Sequence, residues 1–457
     1  MTTMEAVLAT LRGLLLLAEF QAFGALVVAG WIGDFPVWRV LRPAFVALAI
    51  LGPAWFVVQA LAIGDASSIA LVLEDTVVGH SFVLRALAWG ACLVVARRHA
   101  GWAILPAGVA VGLHGLVGHA AASGETLLQV SVVLHLLAAA AWLGGLLPLY
   151  LTLRGDEPTR VALRFSWLGA ICVPVLLATA FVQAQALAGG MPGLVGTDFG
   201  RILLLKLALL AGLLVLAFRN RFVLTPRLSQ APRALDASLM LEITLGAVLL
   251  GAAALLASLP PGAHEQPNWP FALRPSLDVL ADDDLRAEIG HALLALALAG
   301  ALLFAATLHR FLRVAAPLAA LAIAWFAVPS LMLLLVPAEP TYYWQSPSLG
   351  DAPAIERGRI AFVAHCVGCH GATGAGDGPR AASLSIPPAD LTAAHLWEHS
   401  DGELFWWISE GMRAPDGSLV MPGAKATLSE QTCWELIDFI HANNATGTTL
   451  PRAVHHH

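Results

Sequence analysis

Through its first three quarters the chain consists of long runs rich in Leu, Ala and Val, broken only by short polar stretches. A helix needs about 20 apolar residues to cross a bilayer. On that measure the pattern predicts ten spans, at roughly 6–31, 43–63, 79–96, 101–121, 128–152, 163–188, 202–218, 237–258, 290–309 and 314–336. The first is predicted to stay in place rather than be cleaved as a signal peptide, since Met1–Glu5 has no basic residue and no cleavage pattern follows. Beyond residue 340 the texture turns Gly/Pro/Asp-rich with ordinary hydrophobicity, which marks a boundary near Pro337–Ser348. The predicted fold class is all-α: a polytopic helical membrane bundle of about ten spans, followed by a small all-α soluble domain. His455, His456 and His457 read as the stub of an affinity tag and carry no site.

Composition sharpens this picture. Of 457 residues, 58% are hydrophobic and 12% charged, which a soluble protein could not hide. With 25 Lys+Arg against 31 Asp+Glu, a net charge of -6 and no basic block, nucleic-acid binding is excluded. Residues 1–340 hold 19 basic and 19 acidic side chains and residues 341–457 hold 6 and 12, so the net charge belongs to the soluble end.

Thirteen arginines fall in alternate loops: Arg39, Arg42; Arg97, Arg98; Arg154, Arg160, Arg164; Arg219, Arg221, Arg227, Arg233; and Arg310, Arg313. Arginine-bearing loops stay in the cytoplasm. Both termini are therefore expected outside, with the protein in a bacterial inner membrane and the soluble domain in the periplasm.

Cys366-Val367-Gly368-Cys369-His370 is the C-x-x-C-H pattern of covalent c-type haem attachment. Two thiols on one turn can each add to a vinyl group of one porphyrin, and the next residue presents its imidazole to the iron. Downstream, Met421-Pro422-Gly423 precedes Leu428-Ser429 and the apolar helix Cys433–Ile440. Together with Gly371–Pro379 and Pro387–Leu391, this resembles class I cytochrome c over about 350–445, which implies Met421 as the second axial ligand of one haem c. Met412 is the competing ligand but lacks the following proline. Such His/Met ligation raises the reduction potential. His365, His395, His399 and His441 are read as surface histidines, and Trp406 and Trp407 as packing on either the haem or the core. Cys92, Cys172 and Cys433 are read as small buried hydrophobes.

Polar groups inside a membrane cost roughly 2.5–3.5 kcal/mol when charged at a helix centre, so they are candidate functional residues. With the topology above, His80, His114, His119, His135, His264 and His291 all fall on or near the outward face. At 1.5 Å per residue, His114 lies roughly 10 Å below the end of span four and His135 roughly 12 Å below the start of span five. Neighbouring antiparallel spans could set these imidazoles at one level. Imidazole suits copper, zinc, iron and haem alike, and each histidine could instead simply bond a neighbouring helix. Lys206 and Glu242 on spans seven and eight are expected to form an ion pair, with a proton or ion relay as the alternative, while Glu19 and Arg85 occupy spans one and three.

Gly118-His119-Ala120-Ala121-Ala122 and His135–Leu149, with Arg164-Phe165-Ser166, Gly196–Arg201, Lys206, Asn220-Arg221, Glu242, Pro260-Pro261, His264 and Trp269-Pro270-Phe271, resemble the copper resistance protein D (CopD) family. The resemblance implies an eight-span domain over 1–275 and a role in copper uptake or homeostasis. Two further spans and a linker would then fill 276–340, and the cytochrome 341–454. No Met-rich or Cys-rich copper tract is present; Met191 alone is well placed as a soft ligand.

Two functions follow. One is a copper-homeostasis protein whose outward histidines, centred on His119 and His135, bind copper while the haem c provides redox coupling. The other is a membrane oxidoreductase passing electrons through a haem b, held by intramembrane histidines, to the haem c. A plain tether for the cytochrome is the remaining reading. Copper ion, the lipid bilayer and a periplasmic or membrane electron-transfer protein are the expected partners.

Overall fold

The computed structural model describes residues 2–32, 36–155, 157–228, 232–414 and 416–444; the expected tag stub and the last residues of the soluble domain lie outside them. The chain separates into two compact units, Met1–Glu265 and Gln266–His457.

In the first unit the long helices are α1 (Thr3–Trp31), α2 (Trp38–Ile63), α3 (Val77–Ala96), α4 (Ile104–Gly112), α5 (Thr126–Leu143), α6 (Pro158–Leu187), α7 (Asp198–Arg219) and α8 (Pro232–Leu256). Side-chain caps set three of the starts: Thr2 and Glu5 form a capping box on α1, and Thr76 and Thr197 cap α3 and α7. Helix α1 is central and packs on α2, α4, α5 and α8. Small residues allow this, since lipid gives helices no hydrophobic reason to associate and close packing must supply it. Ala22, Ala25 and Ala140 are fully buried, and a Cβ on Gly24 would overlap the backbone of Gly144.

Two predicted spans are interrupted. Span four is helical only to Gly112, continues as a 3-10 turn through Leu113–Leu116, extends at Val117 and restarts as the short turn His119–Ala122 after Gly118. Gly118 has φ 100° and ψ -169°, a conformation open in practice to glycine alone. Span five stops at Leu143 and resumes at Leu146–Thr152 beyond Gly144-Gly145. Among the described residues nine helical stretches are long and apolar enough to cross a membrane, and Ile104–Leu116 is a shorter tenth.

The second unit begins with the hairpin of α9 (Asp283–Leu308) and α10 (Ala315–Leu331). Its open end is tied by two short antiparallel strands, β1 (Leu273–Pro275) and β2 (Leu335–Pro337), with Arg274 opposite Val336. Trp269 N donates to Pro340 O at 2.8 Å, Trp344 Nε1 donates to Pro267 O at 3.1 Å, and the Arg274 guanidinium lies 3.8 Å over the Tyr342 ring. These ties explain why the compact division falls at residue 265, ahead of the change in sequence texture at Pro337–Ser348.

Three helices form the soluble part: α11 (Ala352–His365), α12 (Asp401–Glu410) and α13 (Glu430–Asn443). Helices α11 and α13 cross where Gly358 meets the Glu435 carbonyl, too close for any Cβ. Phe362, Leu404, Phe405, Trp434, Leu436 and Ile437 fill the core, with Phe405 stacked on Trp434 at 4.4 Å. Strands β3 (Gly411–Arg413) and β4 (Leu419–Pro422) make a small antiparallel ladder after α12.

Candidate functional site

The most polar point inside the bundle is Glu19, 1% exposed on α1. Its Oε1 accepts from Arg85 Nη2 at 2.7 Å and from Trp89 Nε1 at 3.3 Å, both on α3. Its Oε2 accepts from His114 Nε2 at 2.5 Å. A buried carboxylate is tolerable only when its lone pairs are this fully engaged. Arg85 Nε, also buried, has no hydrogen-bond partner among the described residues.

Above this cluster opens a cavity of about 320 Å³. Arg12, Trp55, Arg85, His114 and His119 line it, joined by Glu5, Ser81 and Ala257. These residues come from the starts of α1 and α3 and the ends of α2, span four and α8, which an up-and-down bundle brings to one membrane face. His119 sits on the turn after Gly118, and its Nε2 donates to Leu259 O at 3.2 Å. Among the described residues Nδ1 of neither His114 nor His119 makes a hydrogen bond, so each ring has a lone pair to offer.

The other candidate histidines are elsewhere. His135, half-buried on α5, donates from Nδ1 to Thr179 Oγ1 at 2.9 Å on α6. His80 is exposed and bonds Glu74 O at 2.7 Å. His264 is exposed in a short 3-10 turn, and His291 is exposed on α9 in the second unit. No three His, Cys, Asp or Glu side chains gather to hold a metal among the described residues. The structure thus places His119 and His114 in the lining of one cavity and gives His135 a different neighbour. The break in span four sets His119 on a separate short turn, away from the continuous helix that the sequence predicted.

The expected Lys206–Glu242 ion pair does not form among the described residues; Glu242 Oε1 instead accepts from Asn220 Nδ2 at 3.0 Å. Met191 is exposed in the short helix Gly190–Gly196. Glu19 and Arg85 had stood out as charges within spans, but nothing in the sequence said that His114 would join them.

In the soluble part, Cys366 ends α11 and Cys369 and His370 lie on the next turn, Val367–His370. Burial pushes the Cys366 thiol up to about 11, and Cys369 and Cys433 beside it add to the rise, so it stays neutral at physiological pH. His370 Nδ1 donates to Ala389 O at 3.0 Å, which fixes the ring and leaves Nε2 for a metal. Gly376 N and Gly378 N donate to the carbonyls of His370 and Cys369 at 2.9 and 3.1 Å, wrapping the glycine-rich loop round the motif. Met421 on β4 faces Met412 on β3 across the ladder. Directly opposed residues share one face, so both candidate sulfurs are on the same side.

Cys92, Cys172 and Cys433 are buried free thiols, and Trp407 packs against the core. His441 departs from its surface reading: it is 5% exposed and its Nε2 lies 3.0 Å from Asp401 Oδ1, tying α13 to α12. His365 and His395 are exposed, and His399 is half-buried 3.6 Å from Glu403.

A multi-pass helical bundle with a cavity that holds arginine and histidine side chains, carrying a C-x-x-C-H cytochrome domain, is the class that these features define. Comparison with known proteins finds a family model that matches part of each region. Residues 159–256 match the model of copper resistance protein D, and residues 353–440 match that of cytochrome c oxidase, cbb3-type, subunit III. Inner membrane protein YebZ of Escherichia coli (strain K12) is 37% identical over 159 residues, 32% of this chain and 54% of that protein. Copper resistance protein D of Pseudomonas syringae pv. tomato is 30% identical over 148 residues, 28% of this chain and 48% of that protein. The chain thus spans about half the length of the curated relatives it matches. No solved structure matches. The chain joins a copper resistance protein D-like membrane region to a cytochrome c domain.

Proposed function

We propose that this is a bacterial inner-membrane copper-homeostasis protein that takes copper into the cavity from the periplasmic side and carries a periplasmic haem c. The observation that carries the reading is the pair of imidazoles, His114 and His119. Each has one ring nitrogen engaged, by the Glu19 carboxylate or the Leu259 carbonyl, and the other unbonded. Metal-binding histidines are oriented in this way, with the second nitrogen donating to a carboxylate or backbone carbonyl. Arg12 and Arg85 repel a monovalent ion half as strongly as a divalent one, so the cavity favours Cu(I).

Cys366 and Cys369 would hold the haem, His370 would ligate it through Nε2, and Met421 would supply a sulfur ligand. When bound, the haem gives the chain a one-electron couple through which the oxidation state of copper can be set. The face shared by Met412 and Met421 and the fixed His370 ring fit that group. The haem b alternative draws no support from the family matches, which point to copper and to a c-type cytochrome. Copper analysis of purified protein tests the proposal. The His114→Ala/His119→Ala variant should lose copper while its reduced haem c spectrum stays intact; copper retained in that variant would overturn it.

A further inference from the structure

Glu242, 4% exposed on α8, has no ion pair among the described residues. Its one hydrogen bond comes from Asn220 Nδ2. A buried carboxylate in that position is neutralised either by a proton or by a bound cation. Two neighbouring oxygens decide between them. Asn220 Oδ1 belongs to the same planar amide head that touches Glu242, and it is buried without a partner. Ser238 Oγ is also buried without a partner, one helical turn before Glu242 on α8. Side chains at that spacing have Cβ atoms about 5–6 Å apart on one face. Asn220 and Ser238 are themselves only 8% and 4% exposed.

A proton on Glu242 could serve the Asn220 oxygen, while the Ser238 hydroxyl, which carries its own hydrogen, would still have no partner, at the usual cost of an unmade buried bond. A cation accepts lone pairs from all three. We propose that Glu242, Asn220 and Ser238 bind a hard monovalent cation, Na⁺, between α7 and α8. One carboxylate, one amide and one hydroxyl supply a single negative charge, which balances a monovalent ion. An all-oxygen set also disfavours Cu(I), which prefers softer donors. The backbone agrees: directly after α7 the helix widens to a π turn over Asn220–Leu224, a local distortion often found at functional sites. The adjacent cation, Arg221, is held over the Trp167 ring at 5.6 Å. This site lies in the half of the bundle opposite the cavity and does not depend on the copper reading.

Binding of ²²Na⁺ to the purified full-length protein, with choline holding ionic strength constant, tests it. Saturable binding displaced by unlabelled Na⁺ is expected, absent in Glu242→Gln and weakened about tenfold in Ser238→Ala, the worth of one good polar contact. Thermal unfolding of the membrane unit reports that each variant is folded. A folded wild-type chain without saturable binding, or a Glu242→Gln variant that keeps it, would overturn the proposal. Should Glu242→Gln fail to fold, unchanged affinity in Ser238→Ala would do the same.

Discussion

Glu19 holds Arg85, Trp89 and His114 at once, and removing one member of a buried ion pair strands the other. Glu19→Gln should therefore cost about 3–5 kcal/mol in unfolding experiments, whereas Glu19→Gln/Arg85→Met should cost far less than the sum of the two single changes. Additive losses would show that the two charges do not interact. Copper affinity should fall about 10–100-fold in the Glu19 variant, the usual effect of removing the partner that orients a metal-binding imidazole. At the haem, Met421→Ala should convert the spectrum and lower the reduction potential; if Met412→Ala does so and Met421→Ala does not, the axial assignment moves across the ladder. The motif residues at this scale were legible in the sequence because covalent haem attachment fixes their spacing. The Glu19–His114 bond was not, since it joins residues 95 positions apart and no periodicity states which spans are neighbours.

At the scale of elements, the apolar runs located every span, while their interruptions came from glycines whose role is conformational. Gly118 is the sharpest case: it turns the chain after the 3-10 end of span four and delivers His119 to the cavity rim. Space around its missing side chain is open, so Gly118→Ala should cost only the backbone strain, of order 1–3 kcal/mol. It should also weaken copper binding without touching the haem, as copper titration and the haem c spectrum would read out. Loss of haem instead would argue against a local effect. Gly144 was equally silent in the sequence, where Gly144-Gly145 looked like part of one continuous span. Its meeting with Gly24 is a matter of which helices touch, and hydrophobicity does not encode that.

For the whole molecule, the change in texture near residue 340 was read as the boundary between a membrane part and a cytochrome, whereas the compact units divide at residue 265, with β1 pairing with β2 around the last two apolar helices. The copper chemistry is assigned to one unit and the haem to the other, so a chelator that strips copper should leave the haem c spectrum unchanged. Thirteen arginines in alternate loops are the ground for expecting both ends outside; a C-terminal reporter active only in the cytoplasm would contradict that expectation. The central claim is that His114 and His119 together bind copper at the cavity, and X-ray absorption at the copper edge of the loaded full-length protein tests it most directly. The account predicts Cu(I) with two imidazole nitrogens as its protein ligands, a signal that disappears in His114→Ala/His119→Ala. A sulfur-dominated shell, or an unchanged spectrum in that variant, would contradict it.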